Sequence, residues 1–231
     1  MRGINLYATT THLDRSEGTR RNYRAMLQRI SEIVLPSEHP KQTTALSTKA
    51  TPPPYTHAEL EEFRRWATSQ LTPLKETRAM LMLVLCAGAG LRTSELAVLH
   101  PSHVAITDAG VLITVPGDRA RTVPLLAEWE EWMQPLLDRS PNDELLWGPL
   151  ARRDAHNLTS AFTQYSNGNP PRADRLRNTW FTRHLRAGTP MKDLFRAAGV
   201  TKLAHLPQLL EHVEVSEMDR YQLLLRSADQ A

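Results

Sequence analysis

The run Leu85-Cys86-Ala87-Gly88-Ala89-Gly90-Leu91-Arg92-Thr93-Ser94-Glu95-Leu96 concentrates the chemistry of this sequence. An apolar stretch stops at two glycines, an arginine follows, and a carboxylate stands three residues later, about one helical turn on. This order sets Arg92 at the mouth of a short helix. There the first backbone N–H groups lack intrahelical partners and the helix dipole favours an anion. A planar guanidinium adds donors in a fixed fork, suited to two oxygens of one phosphate. Glu95 can hold that fork in place. The plainer alternative is a surface ion pair between Arg92 and Glu95.

The charge distribution gives such a site a partner class. The 231 residues hold 28 Lys/Arg and 25 Asp/Glu, a net charge of +3, but the excess is segregated. Residues 1–50 have 8 basic against 4 acidic side chains, and residues 51–150 have 8 against 13. Residues 151–202 have 10 against 3, and residues 203–231 have 2 against 5. A basic block of this density fits a polyanion, nucleic acid first, or else a solvated face. Cys86 is the single cysteine, which excludes a disulfide framework or a Cys-rich zinc site and points to the cytoplasm. It lies within the 13-residue apolar run Ala79 to Leu91, too short to span a bilayer and better read as a buried helix. The N-terminus has no apolar signal core. His100 with His103, and His205 with His212, come without a third ligand at site spacing, so neither metal nor cofactor is expected.

The elements that must position Arg92 are mostly helical. Residues 17–35 form an amphipathic pattern with Tyr23, Met26, Leu27, Ile30 and Val34 on one stripe. One helix cannot bury that stripe alone, so it packs on something else or belongs to a shortened domain. Residues 36–54, rich in Ser, Thr and Pro and closed by Pro52-Pro53-Pro54, are predicted as a linker. Thr56 and Glu59 then resemble a capping box. A helix through Leu60, Phe63 and Trp66 follows, with another over about 74–88, ended by Gly88-Ala89-Gly90. Ser94 or Thr93 caps a short helix through Leu99. Residues 104–106, 111–115 and 121–125 predict two or three antiparallel strands around the turn Asp108-Ala109-Gly110. Helices are expected at 126–138, 154–166, 174–187, 190–199, 203–212 and 215–226. Within 174–187, Trp180, Phe181 and Leu185 fall at helical spacing and read as core rather than as a base-stacking surface.

In this order the segments resemble the tyrosine recombinase (phage integrase) family. Ala89 to Leu96 looks like its first arginine motif, and Arg121-Thr122-Val123-Pro124-Leu125 is similar to its "R-x-V-P-L" hairpin close. Asp174-Arg175-Leu176-Arg177-Asn178-Thr179-Trp180 resembles its "H-x-L-R-H-T" box. Leu209-Leu210-Glu211-His212, with Tyr221 nine residues after His212, resembles "L-L-G-H" and the nucleophilic tyrosine. The resemblance covers residues 52–231, and the helix holding Tyr23 is a weaker echo of the family's core-binding domain. It implies a mainly α fold with a small antiparallel sheet, a recombinase-like domain over residues 55–231. Ahead of it come a short helical N-terminal segment, residues 1–35, and the linker. It implies Arg92, Arg177, His212 and Tyr221 as catalytic residues, with Glu95 and Asp174 supporting them. Arg119, Arg121, Arg172, Arg175, Arg183 and Arg186 are then the candidates for contacts to double-stranded DNA, with Arg196 in the same cluster.

The departures bear on activity. In the family, two arginines, a lysine, two histidines (or a tryptophan for one) and a tyrosine hold and cleave a DNA phosphodiester. Val115 to Arg121 contains no lysine, and Asp174 stands where the box has histidine. A direct count from Arg177 at the usual spacing lands on Leu209, whereas Tyr221 requires extra residues between Gly188 and His212. Asp174 has its own plain reading, as a helix cap or as a partner of Arg175. Three functions stay open: a DNA-binding relative with eroded catalysis, an active recombinase using Tyr221, and a protein-interaction module. Self-association or an active recombinase are further candidate partners, and no membrane is expected.

Overall fold

The computed structural model describes residues 2–11, 13–37, 51–140, 144–150 and 157–226. Internal contacts divide the chain into two units, Met1–Ala50 and Thr51–Ala231. In the first, α1 (Arg2–Thr10) packs against α2 (Glu17–Val34). Ser16 starts α2 by accepting the Thr19 N–H on its side chain. The sequence pattern showed α2 but not α1, and α1 does not cover the apolar stripe, of which Tyr23, Met26, Ile30 and Val34 are exposed. Arg24 is buried and donates to Asn5 Oδ1 across the pair at 2.8 Å. Most of the expected linker, residues 38–50, lies outside the described residues. Its proline end belongs to the second unit, where Arg175 donates to the Pro53 carbonyl at 2.7 Å.

The second unit opens on α3 (His57–Thr68), started by the expected capping box of Thr56 and Glu59. The apolar run is α4 (Pro73–Leu83) extended by a π-helical turn, Val84–Gly88. Every residue from Ala79 to Leu91 is buried, and burial pushes the Cys86 thiol up to about 12, as suits a core side chain. Short α5 (Thr93–Leu96) follows, with Arg92 itself at the N-cap position rather than Ser94 or Thr93. Strands β1 (Val104–Thr107), β2 (Gly110–Val115) and β3 (Arg121–Pro124) form an antiparallel sheet in the order β1-β2-β3. Val104 faces Ile113, and Ile113 faces Val123.

The expected helix at 126–138 is a 3₁₀ segment, Ala127–Trp132, running into α6 (Met133–Asp138). The rest are α7 (Leu158–Gln164), α8 (Ala173–Arg186), α9 (Met191–Ala198), α10 (Leu206–Leu210) and α11 (Met218–Arg226). Each begins or ends within a few residues of its sequence expectation, where fraying and capping blur the pattern. Trp129, Trp147, Trp180 and Phe181 are fully buried and anchor the core beside the apolar run. No described helix is long and apolar enough to cross a membrane.

Candidate nucleic-acid interface

The site is built where the glycine break, β3, α8 and the end of α9 meet. Gly90 takes φ +62° with the Trp180 ring against its Cα; a Cβ there would lie 2.4 Å from the ring. Only glycine fits that place, and it turns the Gly90 carbonyl toward Arg177, which donates to it. α9 ends on Gly199 in the left-handed conformation. Its last carbonyls lack intrahelical donors and sit at the negative end of the helix dipole. Three guanidinium groups satisfy them: Arg121 reaches the Ala197 carbonyl at 2.6 Å, Arg177 the Ala198 carbonyl at 2.8 Å, and Arg92 the Gly199 carbonyl at 3.0 Å.

Glu95 ties two of these arginines together. Its oxygens accept from Arg121 at 2.8 and 3.0 Å and from the Arg92 side chain at 2.9 Å, while the Arg92 amide donates at 2.8 Å. Burial alone would raise the Glu95 pKa; the Arg121 hydrogen bonds and the Arg92 amide outweigh it and hold the carboxyl below its usual value. Burial, then the Arg92 charge, pulls Arg177 down to about 10, which leaves it protonated at neutral pH. His205, weighed in the sequence only as a metal ligand, lies within the field of Arg177. Burial first and that charge second lower its pKa, and its Nε2 is 3.2 Å from Asn178 Oδ1.

Two hollows open beside Arg92. The larger, about 690 Å³, is lined by Arg92, Arg119, Arg121, Arg196 and Lys202 among others. The smaller, about 350 Å³, lies between Ser94, Asp174 and Arg177. The structure thus brings together Arg92, Glu95, Arg121 and Arg177, and places Arg119 and Asp174 at the two openings. Asp174 accepts from Arg172 at 3.1 and 2.6 Å and from the Arg175 amide at 2.9 Å. Its side-chain partner is therefore Arg172, not Arg175. Arg175 lies 3.7 Å over the Tyr55 ring and pairs with Glu59 at 3.0 Å. Arg183 pairs with Glu128, and Arg186 donates twice to the His212 carbonyl, at 3.0 and 2.8 Å. Neither His212 nor Tyr221 lines either hollow. His212 follows α10, and Tyr221 is half exposed on α11. Leu209, where the direct count falls, is fully buried, and Val200, nine residues before it, lines the larger hollow. Sequence reasoning missed Lys202 and Val200; carrying the Arg177 count back nine residues from Leu209 would have found the segment.

Comparison with known proteins agrees with this architecture. The family described as the phage integrase family matches residues 56–221. No curated protein matches the chain by sequence. Among solved structures, XerH site-specific recombinase bound to difH substrate in a pre-cleavage complex gives a TM-score of 0.60 at 16% identity, with 95% of this chain and 68% of that one covered. Tn1549 transposon integrase in complex with circular intermediate DNA gives 0.58 at 16% identity, with 89% and 78% covered. XerA recombinase gives 0.52 at 16%, with 97% and 80% covered. At these identities the likeness is one of fold, whereas the family match runs from the Thr56 capping box through both arginine motifs to Tyr221. The chain belongs to the phage integrase family, the tyrosine recombinases.

Proposed function

We propose that this chain binds duplex DNA on the scaffold of a tyrosine recombinase and has lost strand cleavage, serving integration or recombination as a regulator, an architectural component or a modulator of an active recombinase. Its arginine cluster faces two open hollows, and among structures of like fold XerH is bound to difH substrate and Tn1549 integrase is in complex with circular intermediate DNA. The observation that carries the loss of cleavage is the company Arg92 and Arg177 keep. Among the described residues the hollows beside them are lined by no tyrosine or histidine, and one is lined by the Asp174 carboxylate. Cleavage needs a nucleophile within reach of the held phosphate and an acid for the departing oxygen. Arginine is a poor proton donor, and a carboxylate beside a phosphate opposes charge build-up in the transition state. Loss of one positioned donor costs about 10²–10³ in rate.

The competing reading is an active recombinase with Tyr221 as nucleophile, favoured by the family match ending on that residue. A nicked suicide duplex, drawn from a library of candidate sites, separates the two. Specific binding without a covalent adduct on a denaturing gel is expected. An adduct that disappears in Tyr221→Phe overturns the proposal. A mobility shift that finds no binding even at low salt turns the reading to a protein-interaction module.

A further inference from the structure

The two hollows beside Arg92 differ in electrostatics. In the smaller one Arg177 already donates to the Gly90 and Ala198 carbonyls, and Asp174 supplies a carboxylate. Arg172 offsets that carboxylate but spends its fork doing so. The larger hollow has no acidic residue in its lining. Arg119, Arg196 and Lys202 are all exposed, and none of their side chains makes an ion pair or hydrogen bond among the described residues. They come from three places: the β2–β3 turn, the last turn of α9, and the segment after Gly199. Arg92 and Arg121 form its inner edge and share the single Glu95 carboxylate, which offsets one of their two charges. Phe195 and Val200 add an apolar wall between the cations. Three uncompensated cations around one cavity repel one another, and a bound anion relieves that repulsion.

We infer that a backbone phosphate of bound DNA seats in this larger hollow, with Lys202 as its ammonium contact, Arg119 and Arg196 flanking it, and the adjoining deoxyribose against Phe195 and Val200. A lysine is a compact point charge on a flexible stem and binds phosphate without the fixed geometry of a guanidinium fork. The seat lies away from Asp174, so its occupation avoids the repulsion the smaller hollow would impose. This assignment rests on the DNA-binding reading above.

Two measurements on the full chain test it. In duplex titrations over a range of salt, Lys202→Ala and Arg196→Ala are each expected to weaken binding several-fold and to lower the salt slope by about one. Lys192→Ala, an exposed lysine on α9 outside the hollow, is expected to retain the wild-type slope. A wild-type slope in Lys202→Ala overturns the seat. The second measurement needs no DNA: lysine acetylation is mapped by mass spectrometry with and without inorganic phosphate. Protection of Lys202, with Lys192 modified equally in both samples, supports the seat even if the duplex titrations show no binding and the DNA reading falls. Equal acetylation of Lys202 in both samples overturns it.

Discussion

Arg121 and Arg92 share the Glu95 carboxylate, and Arg121 is the more enclosed, with 5% of its side chain exposed against 24% for Arg92. Its removal leaves Glu95 short of two donors and the Ala197 carbonyl at the end of α9 unmet. Breaking such a pair from one side costs about 3–5 kcal/mol, so Arg121→Met is expected to lower the urea midpoint severely. Arg119→Ala, exposed and unpaired, is expected to stay within about 0.5 kcal/mol of the parent. Equal losses in both variants would sink the division between committed and available arginines. Glu95 also sets an acid limit. Its folded pKa is depressed below its ordinary 4.5, so its contribution is fully present above the unfolded value and is lost as pH falls through the folded one. Glu95→Gln is expected to be less stable at neutral pH and to lose that part of the acid dependence, read from urea midpoints between neutral and acid pH.

At the scale of elements, the site depends on how two helices end. The π-helical turn delivers the chain to Gly90, and α9 stops at Gly199; in both places a positive φ aims a carbonyl at an arginine. A Cβ at Gly199 would lie 2.9 Å from Arg121 Nη1, and one at Gly90 would enter the Trp180 ring. Gly90→Ala therefore adds overpacking of about 1–3 kcal/mol to left-handed strain of about 1–2 kcal/mol. Gly188, also at positive φ, has nothing within 4 Å of the added carbon. Gly188→Ala is expected to show the strain alone, as a smaller drop in denaturant midpoint. If the two variants lose the same stability, the Trp180 contact does not govern Gly90. At the other end of the unit, the α3 start is fastened to α8 by the Tyr55 amide on Thr179 Oγ1 at 2.8 Å and by Arg175 over the Tyr55 ring. Arg175 thus helps close the fold as a stacking and pairing group.

For the whole molecule, the buried apolar core among the described residues lies at Tyr55 and beyond. A fragment of residues 51–231 is accordingly expected to unfold cooperatively in urea at the midpoint of the full chain, and to bind duplex DNA less tightly than the full chain does. A fragment without a cooperative transition would contradict the two-unit division. The net charge of +3 is too small to hold DNA by itself; the proposed interface rests on the local concentration of Arg119, Arg196 and Lys202 beside Arg92. With about five phosphates contacted, log K against log salt is expected to fall with a slope of about −4 to −5. A flat salt dependence would remove the electrostatic basis of the interface.

Features set by neighbours in the chain were determined by the sequence alone. The Thr56–Glu59 capping box, the glycine break in the apolar run, the strands around the Asp108-Ala109-Gly110 turn, the core placement of Trp180 and Phe181, and the pairing of Arg92 with Glu95 all follow from residues a few positions apart. The arginine motifs, ordered along the chain, gave the resemblance to the family that the match over residues 56–221 shows. What only the tertiary structure decided is which arginines are spent and which are free. Arg121 finds Glu95 and Ala197, Arg175 finds Glu59 and the Pro53 carbonyl, and Arg183 finds Glu128, each far away in sequence. The same packing leaves Lys202 beside Arg92 and buries Leu209 where the spacing called for a nucleophile. A side chain's charge is written at its own position, but its partner is chosen by where the helix ends come to rest. The unmet carbonyls of α9 drew in three guanidinium groups, an outcome fixed only once the fold had closed.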